Sequence, residues 1–118
     1  MKKMISVALL SPEMHPTRVG ERVNALREAL SLSKAEFADS IELDRSTLTK
    51  VEAGTKGLDI AAGAKIADMY AAGLDYLYRG VVSDLPSELR PKVHSLLYSI
   101  RITKNLRATS DSAAGRSR

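Results

Sequence analysis

The stretch SKAEFADSIELDRSTLTKVEAG, residues 33–54, restricts the possible folds of this chain more than any other. Its apolar residues fall at helical spacing, break for about three residues, and resume at helical spacing. Ser33 and Glu36 form an S-x-x-E capping box that starts one helix, with Phe37, Ala38 and Ile41 on its buried face. Asp44 is a suitable N-cap for the next helix, whose inward residues are Leu48 and Val51 and whose end is set by Gly54. Helices at 34–41 and 45–53, joined so closely, must cross at a steep angle, and Ala38 is the small residue that lets the backbones approach. Ile41, Leu43, Leu48 and Val51 fill the wedge behind it. The outward face of the second helix then carries Arg45, Ser46, Thr47, Thr49 and Lys50, all polar and none acidic.

The rest of the chain is read from the same periodicity. Val19, Val23, Leu26 and Leu30 mark a helix from about Thr17 to Leu30. After a TKG loop at 55–57, Asp59 caps a fourth helix through Ile66, Met69 and Tyr70, and LDYLYRG forms a short fifth helix ended by Gly80. Leu89, Val93, Leu96, Leu97 and Ile100 define one more helix. Pro91 places a short turn at 86–90 and the main helix from near Pro91 to about Leu106. The expected organisation is an N-terminal arm at 1–16, a helical body at 17–82, a C-terminal helix at 83–107 and a disordered basic tail at 108–118. The class is all-α.

Composition removes several functions. The 118 residues contain no cysteine, which excludes disulfides, thiolate zinc sites and cysteine nucleophiles and suits a reducing cytoplasm. The opening MKKMISVALL has an apolar run too short for an export signal and no small-x-small cleavage site, so it reads as a short strand or arm. His15 and His94 stand far apart with no ligand pattern around them, and no nucleophile elbow, phosphate-cradling glycine loop or paired-carboxylate motif is present. The sequence predicts no enzyme, no metal, no cofactor and no membrane partner. The net charge of +4 sits entirely beyond residue 100, where five basic residues meet one acid, Asp111. A polyanion partner must therefore be held by local placement or by that tail.

From RVNALREAL through SKAEFADSIELDRSTLTKVEAG to IADMYAAGLDYLYRG, about residues 18–80, the chain resembles the Cro-like and lambda-repressor-like helix-turn-helix family, often called the XRE family. Phe37-Ala38, Leu43, Leu48, Val51-Glu52-x-Gly54, Ile66-Ala67, Leu74-Asp75-x-Leu77 and Gly80 carry the resemblance, without insertions across five helices. It departs at Lys34, where the family usually has Gln; at Glu42, where a left-handed turn prefers Gly; at Leu58, where Pro is common; and at Gly63, where a core Leu is usual. Gly63 predicts altered packing or a bend in the fourth helix.

The resemblance implies that the second helix of the corner enters a DNA major groove. Arg45, Ser46 and Lys50 would point at bases, and Thr47 at either a base or the backbone. Lys34 would hold a phosphate beside the groove, as would Thr49, and Thr55 and Lys56 would meet one on the far side. Arg45 has the best chemical case, because its fork matches guanine O6 and N7. Asp44 is a cap, Glu52 helix support, and Tyr70, Tyr76 and Tyr78 core or rim. Solvated charge is the ordinary alternative for Arg45, Lys50 and Lys56.

The stripe Leu89, Val93, Leu96, Leu97 and Ile100 either folds back on the body or builds a homodimer, and the dimer is the favoured expectation. It would set two recognition helices roughly 34 Å apart over a palindromic operator. The leading function is a cytoplasmic, nucleoid-associated dimeric repressor of bacterial or phage type that binds double-stranded DNA, with a regulatory protein partner as a further possibility. The alternative is a protein-binding helix-turn-helix module, antiactivator or antitoxin-like. Its support is that residues 33–57 hold four basic and five acidic groups.

Overall fold

The structure, a computed structural model, describes residues 11–116, with side chains described through residue 107. The proposed N-terminal strand and the question of an export signal concern residues 1–10 and lie outside the described residues. A 3-10 turn at Pro12–Met14 leads into α1 (Pro16–Ala29), followed by α2 (Lys34–Ser40), α3 (Arg45–Ala53), α4 (Ile60–Tyr70) and α5 (Leu74–Arg79). A second 3-10 turn, Val82–Asp84, precedes α6 (Arg90–Arg116). Among the described residues there is no strand, and the fold is all-α as the sequence predicts.

The corner forms from local chemistry. Ser33 Oγ accepts from the Glu36 N–H at 3.0 Å while Glu36 Oε1 accepts from the Ser33 N–H at 2.9 Å, so the capping box closes in both directions. α2 stops where the Leu43 N–H donates to the Ala38 carbonyl at 2.9 Å and the Glu42 N–H to Asp39 at 3.2 Å. This is a Schellman ending with Glu42 at φ +54°, a left-handed position that costs a non-glycine residue about 1 kcal/mol. α3 ends the same way, with Gly54 at φ +80° and the Thr55 N–H donating to the Lys50 carbonyl at 3.0 Å. Asp44 occupies the N-cap position, but its carboxylate makes no backbone cap and instead accepts from the Ser46 hydroxyl.

α1 lies at the centre and packs against α3, α5 and α6. Val23, Leu26, Phe37, Leu48, Ile66, Tyr76 and Leu77 are fully buried around it. Ala38 is buried as expected, and Gly20 marks a further close backbone approach, where a Cβ would stand 2.2 Å from the Val51 carbonyl oxygen. Gly63 has a comparable explanation. The Tyr78 ring lies across it, with Oη 2.6 Å from where a Cβ would be, in the space left by the absent leucine. The Tyr78 hydroxyl donates to the carbonyls of Leu58 and Asp59, at 2.8 and 2.9 Å, and α4 runs unbroken past Gly63. Burial pushes the Tyr78 hydroxyl up to about 12, so it remains a donor.

Two sequence expectations for the C-terminal region change. α6 begins at Arg90 with Pro91 in its first turn, where the missing N–H costs little, but it continues through residues 108–116, which composition alone reads as a disordered tail. An established helix extends residue by residue without a new nucleation cost, and Ala113 and Ala114 favour that extension. The apolar stripe also folds back on the body. Val93 is 0% exposed, and Leu89, Leu96, Leu97 and Ile100 pack half-buried beside it against the core. Val93 is therefore enclosed by its own chain and is withdrawn as a contact between copies.

Glu21 fixes this arrangement. Only 4% exposed, it accepts from Arg101 Nε at 2.9 Å and Lys104 Nζ at 3.3 Å, and Arg18 lies 3.7 Å away. Burial alone would raise its pKa, but the hydrogen bonds and charges of Arg101 and Lys104 outweigh burial and hold it below the ordinary value of 4.5.

Candidate nucleic-acid interface

α3 is anchored from behind and open in front. Its buried face offers Leu48 and Val51 to the core. Glu52, 7% exposed, receives Arg27 Nε at 2.8 Å and Nη2 at 3.1 Å, and the same guanidinium donates to the Leu32 carbonyl at 2.9 Å. The hydrogen bond to Glu52 is the main reason the Arg27 pKa is raised. At the far end, a Cβ on Gly54 would come within 2.9 Å of the Thr17 Cα, so α3 also abuts the start of α1. Glu52 is thus a support, and α3 is held at two places along its length.

The outer surface is uncovered. Arg45, Ser46, Thr49 and Lys50 are exposed and Thr47 is half-buried at the rim. Arg45 is paired with Asp39 of α2, through Nη2 to Oδ2 at 2.9 Å and Nε to Oδ1 at 3.4 Å. That hydrogen bond, with the attendant charge, raises the Arg45 pKa, and the Ser46 hydroxyl lowers that of Asp44. Both residues at the start of α3 are therefore oriented by neighbouring carboxylates. Sequence reasoning missed the Asp39 pairing, because positions six apart across a corner follow no helical repeat.

The residues assigned to phosphates fall into two kinds. Lys34, the first residue of α2, and Lys56, in the loop after α3, are exposed. Thr49 and Thr55 are exposed too, but their hydroxyls already donate to the carbonyls of Arg45 and Lys50, at 3.1 and 3.2 Å. Either threonine must release that bond before it can donate to a phosphate oxygen. The tyrosines stay structural: the Tyr76 hydroxyl donates to the Arg22 carbonyl at 2.7 Å from full burial, and Tyr70 stacks on Phe37 with centroids 5.4 Å apart.

The sequence also gave no warning of Arg22. It is 1% exposed, donates Nη1 to the Leu77 carbonyl at 2.9 Å, and pairs through Nη2 with Glu13. Beside it, a groove of about 340 Å³ runs between α6 and the first 3-10 turn, lined among others by Glu13, Arg22, Leu97, Tyr98 and Ile102. Among the described residues no group of three His, Cys, Asp or Glu could hold a metal ion, and no helix is long and apolar enough to cross a membrane.

Comparison with known families matches residues 18–77, just over half of the chain, to a helix-turn-helix domain family. The match spans α1 to α5, with α2 and α3 forming the corner at its centre. The chain belongs to that family. No curated protein and no solved structure gives a match.

Proposed function

With helix-turn-helix membership as the premise, we propose that this chain is a sequence-specific regulator that binds double-stranded DNA through the outer face of α3. The single observation that carries this reading is an uncovered recognition helix on a rigid scaffold, with Arg45, Ser46 and Lys50 at its outward positions. A helix of this size fits the major groove, where its N-terminal residues reach base edges. Arg45, Ser46, Lys50 and Thr47 read bases; Lys34 and Lys56 grip phosphates on either side, with Thr49 and Thr55 assisting after their hydroxyls turn. The simplest regulatory action is repression, by occupying a promoter in the cytoplasm. Two copies would associate along the outward face of α6, where Tyr98, Ile102 and Leu106 recur every four residues at 66%, 38% and 64% exposure.

The test is a titration against duplex DNA enriched from a random-sequence pool, at two salt concentrations. Affinity should fall steeply with salt. Arg45→Ala should relax preference at one base pair, with about 1–3 kcal/mol of discrimination lost, whereas Lys34→Ala should weaken all sequences alike. The charge balance of residues 33–57, four basic and five acidic groups, favours a second reading, in which the corner binds a protein and DNA weakly or not at all. Absence of any enriched sequence, with no salt dependence, would select that second reading. Sedimentation of the free protein reads the dimer directly.

A further inference from the structure

We infer that Asp39 is a specificity-determining residue of the DNA-reading surface, which positions the Arg45 guanidinium for one base and disfavours contact with arbitrary sequence. This rests on the DNA-binding reading above and assigns a role to a residue outside the recognition helix. Asp39 lies in the last turn of α2, exposed, and its carboxylate has Arg45 as its hydrogen-bonding partner.

The geometry selects which N–H groups remain. Arginine carries five donors, one on Nε and two on each Nη. Asp39 occupies the side of the fork formed by Nε and one hydrogen of Nη2, at 3.4 and 2.9 Å. The two hydrogens left at the tip, one on each Nη, are parallel and point away from the carboxylate. That tip is the pair that meets O6 and N7 of guanine end-on. An unbuttressed arginine samples many rotamers and takes the nearest phosphate as readily as a base. A buttressed one has given up part of that freedom before the duplex arrives.

The charge of Asp39 acts in the same direction. On arbitrary sequence, binding is carried by cation–phosphate attraction. A carboxylate beside Arg45 offsets one of those cations and faces the same phosphates, so it weakens sequence-independent docking. On the preferred sequence that penalty is recovered by the aligned tip. The ratio of specific to non-specific affinity widens from both ends.

The experiment uses the full chain and variants Asp39→Ala, Asp39→Glu, Arg45→Ala and the Asp39→Ala/Arg45→Ala double variant. Each is titrated against the duplex enriched by the wild type, against duplexes substituted at each base pair, and against random-sequence duplex. Asp39→Ala should lose about tenfold discrimination at the base pair that Arg45 reads. It should also bind random duplex a few-fold more tightly, while its thermal midpoint stays at the wild-type value because the pair is exposed. Asp39→Glu should restore most of the discrimination. In the Arg45→Ala background, removal of Asp39 should leave base preference unchanged. Asp39→Ala that keeps the wild-type preference at every position would overturn the assignment while leaving DNA reading intact. Failure of the wild type to enrich any sequence would overturn both.

Discussion

Two arginines, one buried and one exposed, each face a carboxylate, and the contrast between them separates what holds this protein together from what it can offer. Arg22 has a side-chain exposure of 1% and meets Glu13 and the Leu77 carbonyl. Arg45 has 64% and meets Asp39, itself 62% exposed. A buried guanidinium whose partner is lost has no water to replace it, so such pairs are costly to break. An exposed one loses little when its carboxylate is removed, because water is there to replace it. The buried groups, Arg22, Glu21 and the Arg27–Glu52 pair, fix shape. The exposed groups around α3 stay exchangeable.

This contrast is testable by urea unfolding. Gly20→Ala should have the largest effect, about 3 kcal/mol, because the new methyl meets the Val51 carbonyl, a backbone atom that cannot step aside. Arg22→Met should follow at about 2 kcal/mol, since it strands the Leu77 carbonyl in the core, while Glu13, 40% exposed, is left to water. Glu21→Gln should cost about 1–2 kcal/mol at neutral pH. Its folded pKa lies below 4.5, so its contribution is complete above that value and disappears as pH falls through the folded pKa. The wild type and Glu21→Gln should thus converge on acidification. Arg45→Ala should be the smallest, leaving the urea midpoint close to that of the wild type. A loss for Arg45→Ala as large as that for Arg22→Met would break the distinction between buried and exposed pairs.

Much of the fold was legible in the sequence because it is set by local chemistry. The Ser33–Glu36 box, the Asp59 cap and the glycines that end α3 and α5 all act within a few residues. What the sequence hid lies far apart along the chain. Glu21 and Arg101 are eighty residues apart, and neither advertises the other. Arg22 sits one position from Val23 on a helix read from its apolar stripe, and nothing in that stripe says that a neighbouring guanidinium is buried too. The stripe on α6 was visible, but an amphipathic face states that it will be covered, not by what. Gly63 departs from the family pattern, and its explanation is the Tyr78 ring, fifteen residues away along the chain, lying across it. On the exposed surface, the residue types at the start of α3 were plain, while their pairing with Asp39 and Asp44 required the corner itself.

α3 is wedged against the first helix at Gly20, bolted by Glu52 to Arg27, and locked at its end against Thr17. It has no hinge. Whatever docks on it must do the adjusting, so a bound duplex should be the distorted member of the pair. The heat-capacity change on association should match the apolar area covered, without the excess that accompanies folding on contact.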